Sequence, residues 1–150
     1  MKLKIPPPLV GLFLGFLMWS FAKQISFGSI EFELSGMLSL IIVFAGLAID
    51  IAAVIPFLRA KTTINPMKPN RASKLVNTGI YKYSRNPMYL GTLVLLTALT
   101  LWLGNAINVV FLGAFVWYIT IFQIKPEEDV LEKLFSDEYL RYKMEVRRWI

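Results

Sequence analysis

The chain has 150 residues, of which 56% are hydrophobic, with a mean hydropathy of +0.57 and a net charge of +6. It holds neither cysteine nor histidine, which excludes disulfides, thiolate nucleophiles, thiolate-bound metals and every serine–histidine triad, and no metal site is expected. The length suits one domain, 1–150, and the basic residues are not interleaved with solvent-facing aromatics, so they read as anchors on one side of a membrane rather than as a nucleic-acid contact.

Apolar residues come in long blocks. The first spans about 5–22 and follows Lys2 and Lys4. A secretory signal is the other reading of such a start, but Ser20-Phe21-Ala22-Lys23-Gln24 offers no small-x-small cleavage site, so a retained helix is expected. Pro6 to Pro8 suit its first turn, where missing amide donors do no harm.

The second block spans about 34–58 and contains Asp50. An acid at membrane depth is costly. It is either a functional group or a protonated acid bonded to a neighbouring helix. Eight residues separate it from Leu58, roughly 12 Å along a helix.

A cytosolic loop, 59–86, follows. Its first part, Arg59-Ala60-Lys61-Thr62-Thr63-Ile64-Asn65-Pro66, reads as an interfacial anchor and turn, with a headgroup or substrate contact as the alternative. Its last part runs Thr78-Gly79-Ile80-Tyr81-Lys82-Tyr83-Ser84-Arg85-Asn86 and leads into Pro87, a suitable first residue for the third block, 87–103. Arg85 and Asn86 then stand at a helix amino end, where orphan donors and the helix dipole favour an anion. A guanidinium there can grip a carboxylate in bidentate fashion. The plainer reading makes Asn86 a cap and Arg85 a snorkelling anchor.

The third block meets the fourth, 106–123, across Gly104 and Asn105, a tight helical hairpin. A spanning helix needs about 20 apolar residues and at least about 17, so four spans are expected. In the tail, 124–150, the positions Glu128, Leu131, Phe135, Tyr139, Tyr142, Val146 and Trp149 fall on one helical stripe. Glu128 is the charge in that apolar stripe and needs a partner, an arginine or a cation. Ser136-Asp137 can break the helix.

Lysines and arginines crowd the central loop and the tail, while the loop after the first block carries Lys23 beside Glu31 and Glu33, and the Gly104 turn carries none. This asymmetry puts both termini, the central loop and the tail in the cytosol of a prokaryotic inner membrane. The expected fold is an all-α integral membrane protein of about four transmembrane helices with a cytosolic amphipathic helical tail.

The run Gly79 to Gly91, the hairpin, and Glu127-Glu128 through Tyr142 together resemble the isoprenylcysteine carboxyl methyltransferase and phospholipid methyltransferase superfamily. The resemblance covers about the last 90 residues. It implies S-adenosylmethionine as methyl donor and a lipophilic small-molecule or lipid acceptor. Carried over, Arg85, Asn86, Tyr89, Leu90 and Gly91 form one wall of the cofactor pocket and Glu127 and Glu128 the other, with Tyr81 and Tyr89 near the adenosyl part. Arg85, Glu128 and Asp50 are the candidate catalytic residues. Two departures stand out: Asn86 replaces the family's usual histidine, and Glu145-Val146-Arg147 replaces the Arg-Val-Pro end of the isoprenylcysteine enzymes. A glutamate there would repel a carboxylate and leaves an amine or thiol acceptor open. The rival expectation is a cofactor-binding or structural small membrane protein without turnover.

Overall fold

A computed structural model describes residues 5–25, 28–29, 34–61 and 73–150. Lys2, Lys4, Glu31, Glu33 and the 62–66 stretch lie outside the described residues, so the expectations placed on them stay with the sequence.

The described chain is helical. Helix α1 spans Pro7–Gln24 and starts as its prolines dictate, with Pro6 at the cap. Helix α2, Ser35–Ala60, carries Pro56 inside its last turns. A short 3-10 turn, Gly79–Lys82, precedes α3, Pro87–Leu103. The hairpin behaves as read from sequence: Gly104 takes a left-handed conformation (φ 58°), and the Asn105 side chain accepts from the Ile107 amide. A further 3-10 turn, Ala106–Asn108, leads into α4, Val109–Ile119.

The fourth block and the tail are not separate helices. A π-turn, Thr120–Ile124, carries α4 without a break into α5, Lys125–Glu145. Pro126 gives the physical reason: it has no amide hydrogen to donate to the carbonyl one turn back, and the wider π-turn absorbs the lost bond just ahead of it.

Two helical stretches, Ser35–Ala60 and Ala106–Glu145, are long and apolar enough to cross a membrane, and Pro87–Leu103 is a shorter apolar helix. Leu12, Phe13 and Phe16 of α1 and Ile41, Phe44 and Ile51 of α2 are exposed. In water such a surface would be a large liability; against hydrocarbon it costs nothing.

Helix α3 is the hub, packed most extensively on α2 and also touching α1 and α4. Its contact with α2 is antiparallel and interlocked. A Cβ on Gly46 would lie 2.8 Å from Leu95 Cδ2, and a Cβ on Gly91 would overlap the Asp50 carboxylate. Each helix offers a glycine to the other's larger side chain, and the backbones approach closely, as expected where helix association depends on packing rather than on the hydrophobic effect.

The tail turns back on itself. At Ser136 the backbone leaves the helix (φ 41°, ψ −118°). In a straight helix Glu128 and Lys143 would stand about 22 Å apart, yet Arg85 bonds to both. Glu132 likewise reaches Lys143 at 2.8 Å. So α5 is a helical hairpin, and the expected apolar stripe lines its inside: Tyr139, Tyr142 and Val146 are buried, with Leu131 and Phe135 packed on them. The stripe read from periodicity holds from Leu131 to Val146 and wraps around a charge cluster instead of lying flat on a surface, while Trp149, beyond the helix, packs on the other core cluster.

Candidate functional site

The residues before α3 are held in place by local bonds. Ser84 is buried, and its hydroxyl accepts from the Asn86 amide at 3.1 Å. The chain then enters α3 at Pro87. The Asn86 carbonyl accepts from the Tyr89 and Leu90 amides, both at 3.1 Å. The Asn86 side chain does not cap the helix; its Nδ2 donates to the Arg148 carbonyl at 2.9 Å. The plain cap reading of Asn86 is therefore replaced by a link to the chain end.

Arg85 is not a snorkelling anchor either. Its side chain is 9% exposed and ties three stretches of chain together. One terminal nitrogen donates to the Glu128 carboxylate at 2.8 Å. The other donates to the carbonyls of Lys143 (3.0 Å) and Val146 (2.8 Å). These are orphan acceptors at the end of α5, where a cation is favoured by the helix dipole. The Arg85 amide adds a bond to the Arg147 carbonyl at 3.0 Å. The third guanidinium nitrogen, Nε, is buried and its N–H has no hydrogen-bond partner among the described residues.

Glu128 is equally buried, and both its oxygens are taken. Arg85 holds one, while Arg148 donates to both, through Nε at 3.0 Å and a terminal nitrogen at 2.8 Å. Arg148 is the more open partner, its side chain 35% exposed. Burial alone would raise the Glu128 carboxyl, but hydrogen bonds from Arg148 and Arg85 outweigh it and hold the group below the usual carboxylate range. Taking two charges out of water is expensive, and removing one partner of such a pair costs about 3–5 kcal/mol.

Glu127 lies beyond the apolar stretch of its helix and has no arginine. Its carboxylate accepts from the Tyr89 hydroxyl at 2.9 Å and from Gln123 at 3.0 Å. Burial pushes its pKa up to about 7, against the pull of those two donors. Neighbouring glutamates therefore sit in opposite states of ease, one saturated by cations and the other held by neutral donors. Such a split is frequent at functional sites.

The structure brings Arg85, Asn86, Tyr89, Glu127 and Glu128 to one junction. Tyr81 is buried within electrostatic reach of Glu127 and Tyr89, its ring edge-on against Phe57 (5.4 Å, 80°), and its carbonyl accepts from the Tyr142 hydroxyl at 2.7 Å. Leu90 is half-buried on α3. Gly91 faces α2, where it receives Asp50. Asp50 is level with the first turn of α3, about 6 Å from its start by rise per residue, and so it is nearer the charged junction than its depth along α2 suggests.

Sequence reasoning missed Arg148 and Gln123. It looked for the chain-end charge at Glu145 and Arg147, and both are exposed. Three residues after α5 ends, past the extended Val146, Arg148 turns inward onto Glu128 instead. Gln123 could have been found from its place one turn before Glu127. Trp149 completes the strap, donating from its ring nitrogen to Thr120 at 3.3 Å and packing on the core of α1, α3 and α4.

Apolar helices with a lipid-compatible surface, joined to a buried interfacial charge cluster, define a helical membrane protein with a polar site at one end of its spans. Residues 34–138 match the model of the family described as phospholipid methyltransferase, and the chain belongs to that family. An uncharacterized protein of Haemophilus influenzae is 51% identical over 63 residues, 42% of this chain and all of that protein. Protein-S-isoprenylcysteine O-methyltransferase of Schizosaccharomyces pombe is 32% identical over 79 residues, 53% of this chain and 34% of the relative. Its counterpart in Saccharomyces cerevisiae is 38% identical over 72 residues, 48% of this chain and 30% of the relative. The chain thus spans about a third of the length of these two methyltransferases. No solved structure matches.

Proposed function

We propose that this chain is an S-adenosylmethionine-dependent methyltransferase acting on a lipophilic, membrane-resident acceptor, with four spans in a prokaryotic inner membrane and both termini and the tail on the cytosolic side. Family membership supports methyl transfer. The observation that carries the cofactor reading is the Arg85 Nε–H, a buried donor with no partner among the described residues, fixed beside Glu128 at the amino end of α3. A buried unpaired donor is costly, and an anionic ligand group would relieve that cost.

The residues fit the two ends of an amino acid moiety. Arg85 Nε and the start of α3 suit its carboxylate. Glu128 suits its ammonium by exchanging Arg148 for it, one cation for another. Glu127, Tyr89 and Gln123 form a neutral hydrogen-bonded wall beside them. When bound, the cofactor supplies an already activated methyl group on a sulfonium centre. The protein's part is alignment and exclusion of water, which a chain without histidine or cysteine can perform.

Calorimetry with S-adenosylhomocysteine on the purified chain tests this. The wild type binds and Arg85→Ala does not, while its thermal unfolding in detergent shows a folded protein. Normal affinity in a folded Arg85→Ala variant refutes the site. Transfer of labelled methyl from S-adenosylmethionine into total membrane lipid separates an enzyme from a cofactor-binding protein without turnover.

A further inference from the structure

The chain end is bound across the charged junction. Helix α5 stops at Glu145, and Val146 takes an extended conformation with its side chain buried in the core of the tail. The residues after it form no helix and are strapped down by polar bonds. The Arg147 carbonyl accepts from the Arg85 amide, the Arg148 carbonyl accepts from the Asn86 side chain, and the Trp149 ring nitrogen donates to Thr120. Arg148 adds its bonds to Glu128. Arg147 and Ile150 are exposed, so Trp149 supplies the apolar contact of the strap.

The closed strap leaves the junction full but incompletely satisfied. The side chains of Arg85 and Glu128 are each 9% exposed, so a ligand arriving from water reaches neither unless something moves. Both Glu128 oxygens are taken, while the Arg85 Nε–H stays buried without an acceptor. That orphan is a cost of the closed state. The two guanidiniums on Glu128 are held very differently. Arg85 is also fixed inside the fold by the Lys143 and Val146 carbonyls. The Arg148 side chain lies at the rim, 35% exposed. It regains hydration by swinging out, whereas Arg85 would have to abandon buried carbonyls. Arg148 is therefore the cation that can leave.

We infer that residues 147–150 form a latch over the site and that Arg148 is a built-in competitor, holding on Glu128 the place of the ligand's ammonium until an α-amino acid moiety displaces it. The inference rests on the cofactor reading above and adds an order of events to it. The strap lifts about Val146, which stays buried. The ligand's carboxylate then meets the Arg85 Nε–H, and its ammonium replaces Arg148 on Glu128. One cation is exchanged for another, so the buried carboxylate is never left bare. The strap closes again on the bonds to its Arg147 and Arg148 carbonyls, with the Arg148 side chain in water.

The test uses the full chain in lipid nanodiscs. In stopped-flow binding of S-adenosylhomocysteine, followed by tryptophan fluorescence, the observed rate is expected to level off with concentration at the opening rate of the strap. Arg148→Gln raises that plateau about ten-fold, as for the loss of one charge-assisted hydrogen bond, and tightens the affinity. Arg148→Lys, which keeps the cation but not the forked donor, falls between the two. Lys133→Gln, an exposed tail residue, leaves the plateau at the wild-type value. A second readout needs no ligand: without cofactor, hydrogen exchange of the Arg85 amide, whose acceptor is the Arg147 carbonyl, is about ten-fold faster in Arg148→Gln, while the amides in the middle of α3 keep their protection. An unchanged plateau or unchanged Arg85 exchange in Arg148→Gln overturns the inference. So does weaker affinity in that variant, which would make Arg148 a ligand contact, or faster exchange throughout α3, which would make it a general support of the fold. If the Arg85 amide responds as expected but the wild type fails to bind S-adenosylhomocysteine, the cofactor reading falls and the latch remains.

Discussion

The two ends of α3 solve the same problem with different materials. Both anchor a distant stretch of chain. At the far end, neutral groups do it: the Asn105 side chain donates to the Ile25 carbonyl at 3.0 Å, and the Ala106 amide donates to the Gly28 carbonyl at 2.9 Å. At the near end, the link between residues 85–86 and 146–148 is built around a buried carboxylate and two guanidiniums. Neutral amides suffice to hold a turn. Burying a carboxylate and a guanidinium for the same purpose, with a second guanidinium at the rim, is wasteful for stability, since such pairs seldom outperform well-packed apolar groups. The excess at the near end is what marks it as a site.

The largest expected effect comes from breaking the charged end. Glu128→Ala leaves Arg85 buried without its counter-ion and should cost about 3–5 kcal/mol. Thermal unfolding in detergent measures it, and a loss below about 1 kcal/mol would mean that the pair is far better solvated than its burial implies.

A smaller effect sharpens the contrast between the paired glutamates. The Glu127 carboxyl is raised to about 7 in the fold, against about 4.3 in an unfolded chain. Below both values, the proton is bound in either state. As pH rises between them, the folded state holds more protons than the unfolded one, so stability falls and then levels off above about 7. Tyr89→Phe removes a donor that favours the ionised form. It should move the upper end of this fall to higher pH and cost about 1 kcal/mol above it. Unfolding profiles across pH read both effects, and a downward shift in the variant would contradict the assigned hydrogen bond.

The smallest effect lies at the neutral end. Asn108 is fully buried, and neither side-chain polar atom has a hydrogen-bond partner among the described residues. Asn108→Leu removes that cost with a side chain of similar size. Its melting temperature should hold or rise, and S-adenosylhomocysteine affinity should stay at the wild-type value. Loss of affinity would show that the two ends of α3 are coupled.

Much of this was legible in the residues. Proline placement set the starts of α1 and α3, and Gly104-Asn105 set the hairpin, because both depend on local backbone preference. The tail stripe was legible because period alone fixes which residues share a face. The tail's shape was only partly legible: Ser136-Asp137 hinted at a break, but a serine forced to φ 41° is a conformation that side chains avoid and that packing on both sides must impose. The continuous passage from α4 into α5 was not legible, because Pro126 reads equally well as a helix start.

What the sequence determined by itself was the apolar blocks, the motif order and the residues able to carry charge, all of them properties of composition and short-range spacing. Only the tertiary structure decided which charges meet. The fold-back at Ser136 brings Lys143 and Val146 to the same guanidinium as Glu128, and the extended end turns Arg148 inward in place of Arg147. The glycine contact lowers α2 onto α3 until Asp50 stands level with Tyr89. These meetings join residues 20 to 61 positions apart in the chain. No local preference reaches so far, and only close packing of helices fixes them.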